Sequence, residues 1–583
     1  MVTGLQATSE KRTYNRWVAN ETMEDFALRF TARRARRWSY AKVANTAIGS
    51  ISFLALEAIG AAITITYGFD IAVFAIMFVG AILFLTGLPI CYYAARYGVD
   101  IDLLTRGAGF GYIGATITSL IYASFTFIFF ALEAAILALA LDFLFGLPIF
   151  LGYIASALVV IPLVVNGFSK ISAFQTWSQP FWVVLHILPF ALLALVGYDI
   201  DTWLGFEGTE EGKGTSTLLM FGAASGVIFS LIAQIGEQVD FLRFLPEPKS
   251  TKDRRKWWTA LVVAGPGWSV LGVVKMLAGS YLVTLAISNA VSPIDAVDPT
   301  HMYFIAFDQV FSSPLLVLAL TGTFVVLSQL KINVTNAYAG SIAWSNFFSR
   351  LTHSHPGRVV WLVFNVAIAV LLMELGVFEG LEQVLRLYSH VAVAWIGALV
   401  ADLVVNKPLG LSPKGIEFRR AHLYDVNPVG IGAMLIACIL SLAAVTGAAG
   451  QTAQAFSTFI ALGAAFITAP LIAYWTKGKY YLARPDSTPA PQGLHSCSIC
   501  DFRFDAEDMT HCPFHAGAIC SLCCTLDSNC QDSCKPHGRI GRNVQSFIER
   551  TFAPNIAVVL QSRLAKFMLF TSLISGLFGG LLL

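Results

Sequence analysis

Hydrophobic and polar positions fall along this chain in long blocks rather than in short alternation. Twelve apolar runs stand out, at about 41–69, 71–95, 107–145, 148–165, 181–196, 216–239, 260–288, 313–348, 359–375, 387–405, 429–445 and 452–474. A bilayer crossing takes roughly 20 such residues as a helix, so the pattern predicts twelve membrane helices. The eighth run is the most informative. It begins apolar and then, with no turn signal, passes through Gln329, Lys331, Asn333, Thr335, Asn336, Tyr338 and Ser341 before reaching Arg350. A lysine at membrane depth costs about 3 kcal/mol even on lenient insertion scales and calls for a partner or a water-filled cavity. The expectation is one over-long helix whose polar inner face lines a substrate path. The alternative is a helix ending at Leu330 with Lys331 snorkelling to the headgroups.

Composition fits a polytopic protein of the lipid bilayer: 56% of the 583 residues are hydrophobic and 13% are charged, against roughly 25% charged in soluble domains. Basic residues mark the cytosolic side. They crowd Arg33 to Arg37, Arg243 to Lys256 and Lys407 to Arg420, while the alternate loops carry Asp199, Asp201, Glu207, Glu210, Glu211, Asp295 and Asp298. Residues 1–40 lack the core and cleavage site of a secretory signal and read as a cytosolic arm. Both ends of the twelve-helix body, 41–475, therefore face the cytosol across an inner (cytoplasmic) membrane.

Two spans have glycine-rich interruptions at corresponding places, Ile48-Gly49-Ser50-Ile51 in span one and Phe221 to Gly226 in span six. Helices broken at matching positions of two halves point to an inverted-repeat transporter with its site at the breaks. Spans one and six are five apart, as a five-plus-five repeat requires.

Several segments then resemble the nucleobase–cation symporter-1 family of purine–cytosine, allantoin and hydantoin permeases. The most specific is Asp240-Phe241-Leu242-Arg243-Phe244-Leu245-Pro246 at the end of span six. Glu24 to Arg29, Gly111 to Gly114, Asn333 to Ser341 and Ala401-Asp402 follow in order. The resemblance implies an all-α, LeuT-type fold and a planar heterocycle held between aromatic faces of spans three and six. Amides of spans one, three and eight would read its edge, with sodium between spans one and eight. Carried onto this chain, the substrate residues are Phe129, Glu133, Phe221, Phe229, Asn333, Asn336 and Ser50. The chain departs from the pattern at Glu133, where an amide is usual, at Glu57 on span one, and at Lys331, which stands roughly where hydroxyls would bind sodium. The expectation is that Lys331 replaces the cation, with Glu57 as its partner or with the carbonyls freed at Gly49-Ser50 as acceptors, so that binding is sodium-independent.

After a Pro-rich linker, 476–494, eight of the ten cysteines fall within 495–537. They form the pairs Cys497/Cys500, Cys512/His515, Cys520/Cys523 and Cys530/Cys534, with Cys524 spare. Two-residue spacings let both members of a pair reach one tetrahedral metal. Two zinc ions are expected, pairs one and three sharing the first and pairs two and four the second; disulfides and an iron–sulfur cluster are the alternatives. Residues 538–583 read as a helical tail whose last apolar run is either a thirteenth span or a truncated one.

No nucleophile–base pairing or phosphate loop stands out, so no enzyme is expected and no nucleic-acid partner. Two readings remain. One is a permease for a purine- or pyrimidine-like small molecule. The other is a transporter-derived sensor that signals through the Cys-rich module to a cytosolic partner or a fused output domain.

Overall fold

The computed structural model describes residues 11–197, 200–209, 214–376, 381–484 and 493–551, with isolated positions beyond as far as 568. Among the described residues, nine helices are long and apolar enough to cross a membrane. Three more crossings are less obvious by that criterion. The helix Ala55–Tyr97 is really two, folded back at Gly68, whose φ of 79° and ψ of 171° suit a residue without a Cβ. Span one is thus Tyr40–Gly49 followed by 55–67, and span two is 69–97. Span four is the short helix pair within Ile149–Val164, and span nine is Arg358–Glu374.

The remaining spans are Ala115–Phe145 (three), Gly167–Leu195 (five), Thr217–Leu242 (six), Thr251–Ser288 (seven), Pro314–Thr352 (eight), Leu381–Ala401 (ten), Pro428–Val445 (eleven) and Ser457–Trp475 (twelve). Span eight is the uninterrupted helix that its pattern predicts. It is 39 residues long, starts with Pro314 at its first turn and ends at His353 in the left-handed region.

Three boundaries differ from the sequence expectation. Span five starts at Gly167, well before Phe181. Lys170, Gln175, Ser178 and Gln179 lower the hydropathy there, yet Gln175 and Ser178 are buried against span eight. Span three starts at Ala115, because 106–110 form an irregular turn. The break of span six falls at Phe229–Gln234, a tight-helical stretch, and not at Phe221 to Gly226. Gly222 instead sits inside regular helix, where its missing Cβ lets span six approach the Ala455 carbonyl. The break of span one does lie where expected. Ser50–Ser52 tighten, Phe53 is extended (φ −60°, ψ 134°), and helix resumes at Ala55.

The arm, the basic loops and the Cys-rich module gather at one end of the helix body, the basic face. The loops around 201–209 and 289–298 lie at the other, acidic face. The module is built of two hairpins, β1 (Leu494–Ser496) with β2 (Arg503–Asp505) and β3 (Met509–Cys512) with β4 (Gly517–Cys520), followed by a helix at Ser521–Leu526. Beyond it the helix Ile540–Thr551 is described. The terminal run proposed as a thirteenth span lies outside the described residues.

Candidate functional site

Breaking span one frees backbone amides in the middle of the helix body, and span three supplies their acceptor. The Leu54 and Ala55 amides donate to the two carboxylate oxygens of Glu133 at 3.2 and 3.3 Å. Glu133 thus caps the second half of span one, where the helix dipole is positive. Phe129, one turn earlier on the same face, meets Phe53 of the break edge-on at 6.4 Å and packs on Phe125 at 4.5 Å. Span eight joins them when the Gln329 amide donates to the Glu133 carbonyl at 3.1 Å. The Gln238 amide of span six lies 2.7 Å from the Ser50 hydroxyl, and Ser52 donates to the Ser328 carbonyl at 2.9 Å. Ser50, Phe129 and Glu133 are therefore gathered around one break.

The charges pair differently from the expectation. Glu57 does not meet Lys331. Its Oε1 accepts from the Lys275 amine of span seven at 2.7 Å and from the Tyr303 hydroxyl at 3.2 Å. Tyr303, on the loop helix Pro299–Asp308, also touches His186 Nδ1 at 3.2 Å. Lys275 reaches the Ser52 carbonyl at 3.5 Å and stands over the Trp182 ring at 5.4 Å. Sequence reasoning passed over Lys275, although its signal was plain: a single charge in the apolar run Trp268–Ser288. Lys331 is buried and does not snorkel, but it faces span five. Its amine donates to Gln175 Oε1 at 2.6 Å, Gln179 Oε1 at 2.9 Å and Ser178 Oγ at 3.1 Å, all neutral acceptors. It does not bond the carbonyls of Gly49-Ser50. Gln175 stands between them, filling the space a Cβ on Gly49 would need.

Helix geometry explains the separation on span eight. At 100° per residue, Gln329, Asn333 and Asn336 share one face, and Lys331 points nearly the opposite way. Asn336 donates to Asn333 Oδ1 at 3.4 Å, and both are fully buried. Several buried atoms have no protein partner: Glu57 Oε2, Glu237 Oε1, Gln329 Oε1, Asn333 Nδ2 and Asn336 Oδ1. Glu133 lies within electrostatic reach of Glu57, Lys275 and Glu237.

The two span-six aromatics do not join this group. Phe221 packs among Phe74, Phe78, Phe456 and Phe459, and Phe229 meets the Phe459 ring edge-on at 5.0 Å. Phe221 lies in regular helix before the break and packs between spans two and twelve, and Phe229, the first residue of the break, faces span twelve.

A cleft of about 660 Å³ enters from the acidic face between spans one, six, ten and twelve. Tyr67, Met220, Ala223, Ser389 and Thr458 are among its walls. At the basic face the arm is bonded down on the helix ends. Arg243 donates to the Asp25 carbonyl at 2.8 Å, the Phe26 carbonyl at 3.0 Å and the Tyr338 hydroxyl at 3.0 Å. Tyr338 in turn donates to Asp25 Oδ2 at 2.6 Å. The arm is thereby tied to the ends of spans six and eight.

In the module, Cys497, Cys500, Cys520 and Cys523 are all buried, with ligand sulfurs within 4.8 Å of one another. A tetrahedral ion with bonds of about 2.3 Å sets its sulfurs about 3.8 Å apart, so the four fit a soft metal ion. The amides of Cys520 and Cys523 each donate to a ligand sulfur at 3.3 Å. All ten cysteines are free of disulfides. The second expected set, Cys512, His515, Cys530 and Cys534, is not gathered in this way; among the described residues only the first group is. His515 sits on the hairpin tip and takes Asp527 as its partner at 2.5 Å. Burial disfavours the Asp527 charge, but His515 and the Asn529 and Cys530 amides outweigh it and hold the carboxyl below its usual range.

No family model matches the chain, and no curated protein does either. Solved structures do match. Mhp1, described as a nucleobase-cation-symport-1 family transporter in a closed conformation with bromovinylhydantoin bound, aligns at a TM-score of 0.58 and 16% identity. The alignment covers 79% of this chain and 96% of Mhp1. Its inward-facing form aligns at 0.55 and 16%, covering 77% and 97%. A Na+-coupled sialic acid symporter in a substrate-bound outward-open state aligns at 0.51 and 13%, covering 78% and 93%. The helix body of this chain therefore has the LeuT-type transporter fold, with spans one and six broken as that fold requires.

Proposed function

We propose that the chain is a permease of the nucleobase–cation symporter-1 type that binds and moves a purine- or pyrimidine-like heterocycle without sodium. The observation that carries this reading is the set of buried polar atoms left without a protein partner beside the span-one break. A buried polar group costs about 1–3 kcal/mol when left unpaired, so such a set fits a site completed by a polar ligand. Four of the five atoms (Glu57 Oε2, Glu237 Oε1, Gln329 Oε1 and Asn336 Oδ1) are acceptors, and Asn333 Nδ2 is a donor. That balance favours a ligand rich in N–H donors with an acceptor on the same edge. Phe129 offers it an apolar ring wall.

Sodium independence is supported by two buried ammonium groups. Lys275 lies on the Ser52 carbonyl and Glu57, and Lys331 stands behind Gln175 on the other side of the break. Lys275 supplies a fixed positive charge at the freed Ser52 carbonyl, where a mobile cation would otherwise be needed, and Lys331 adds positive charge behind Gln175 without touching the break. Under this reading the basic face is cytosolic, the cleft opens outward, and the four cysteines hold zinc. The test is a melting-shift screen of the purified chain against purines, pyrimidines and hydantoins, since a ligand that binds only the folded state raises its melting temperature. Stabilisation by at least one nitrogen heterocycle, lost in Glu133→Ala, is expected. No shift with any of them, or the same shift in the variant, contradicts the assignment.

A further inference from the structure

The helix Ser521–Leu526 is where the metal centre meets the transport machinery. Its first turn belongs to the centre: Cys520 is its N-cap, and Cys523 lies within it. Its last carbonyls belong to the helix body. Arg12 of the arm donates to the Cys523 and Leu526 carbonyls at 3.3 and 3.1 Å. Arg420, from the loop after span ten, donates to the Cys524 and Asp527 carbonyls at 2.9 and 2.6 Å. His353, at the end of span eight, meets the Thr525 carbonyl at 3.1 Å. The Tyr14 hydroxyl rests 3.0 Å from the ligand sulfur of Cys523.

A six-residue helix is too short to hold its own shape in water, and so small a module gains most of its folding energy from its metal. The direction of the last carbonyls of this helix is therefore set by the centre at its start. The same arm that grips these carbonyls lies across the basic face. Arg29 pairs with Asp508 of the module at 2.7 Å. Residues 23–27 bond Arg243, Asn346 and Arg358 of spans six, eight and nine. From there the arm runs directly into the first half of span one at Tyr40.

We propose that the four-cysteine centre is a zinc-responsive latch. With zinc bound, the short helix presents its carbonyls to Arg12, Arg420 and His353, the arm lies across the basic face, and the first half of span one is held shut. With zinc removed, the arm loses its contacts with the module and keeps only those to spans six, eight and nine, which leaves that half of span one easier to swing open. The chain thus has a second function, transport gated by zinc availability. The inference rests on the transporter reading for what opening accomplishes. Its test needs no substrate, so it can fail while the transporter reading stands.

The experiment is hydrogen–deuterium exchange on the full-length chain in detergent, zinc-loaded and after chelation, with zinc counted by elemental analysis. Chelation should speed exchange on the order of tenfold in the arm, 16–36, and in span-one residues 40–49, as well as within the module. An increase confined to 494–536 would make the zinc purely structural and overturn the proposal. Because cysteine variants can simply misfold, the second arm uses Arg12→Ala with Tyr14→Phe, which leaves all four ligands in place. That variant should keep its zinc yet exchange quickly at 16–49 even when loaded. Unchanged exchange in the arm of a zinc-loaded double variant would also overturn the proposal.

Discussion

At the scale of single residues, the span-one break is marked by a carboxylate–ammonium pair, Glu57 and Lys275, both buried. Removing one partner strands the other charge, which costs about 3–5 kcal/mol. Lys275→Ala and Glu57→Leu should each lower the melting temperature sharply, and the double variant should lose much less than the two together. Additive losses would mean that the pair is not coupled. Lys331→Met should be milder, since its three acceptors are two neutral amides and a hydroxyl and no charge is left stranded. Glu133→Ala removes the acceptor of two freed amides, a capping loss of about 1–2 kcal/mol; Glu133→Gln should recover part of it. The sequence made Glu57, Glu133 and Lys331 visible because a charge in an apolar run is conspicuous. It did not reveal their partners. Lys275 is equally conspicuous as a lone charge in an apolar run, but nothing in the sequence says that it faces Glu57, and Gln175 comes from a stretch whose polarity disguised it as a loop.

At the scale of elements, what was legible was periodicity, and what was hidden was the contact between helices. The full length of span eight could be read from its unbroken pattern. The twist that sends Asn333 and Lys331 to opposite sides follows from helix geometry alone, but which neighbour stands on each side does not. The span-six glycines look like a break, yet they serve close packing, a second use of glycine that sequence cannot separate from the first. Spans one and seven use it most sharply: a Cβ on Gly60 would overlap the Met276 carbonyl, and one on Gly279 the Glu57 carbonyl. Gly60→Ala and Gly279→Ala should each cost about 1–3 kcal/mol by forcing the two helices apart. Gly279→Ala should also weaken ligand binding, because it displaces the backbone that carries Glu57. A Gly279→Ala protein with unaltered melting and binding would refute the close approach.

At the scale of the whole molecule, the chain is asymmetric. A cleft opens at the acidic face, and the arm and the Cys-rich module lie across the basic face, tied down through Arg243 and Arg420. The twelve crossings and the thiol cluster could be read directly from hydropathy blocks and cysteine spacing. The docking of the module could not, because it depends on scattered arginines and lysines that resemble ordinary loop charges. Arg420 and Lys535 are the clearest cases. Each is buried, the first holding module carbonyls and the second donating to Asp425 at 2.8 Å. The central claim is that this fold moves a nitrogen heterocycle with built-in ammonium groups in place of sodium. The most direct measurement is uptake of the best-stabilising labelled heterocycle into proteoliposomes, with sodium present or fully replaced by choline. Equal uptake in the two conditions, abolished by Glu133→Ala, is the predicted result. Uptake that requires sodium, or saturable binding with no flux in either condition, would contradict it.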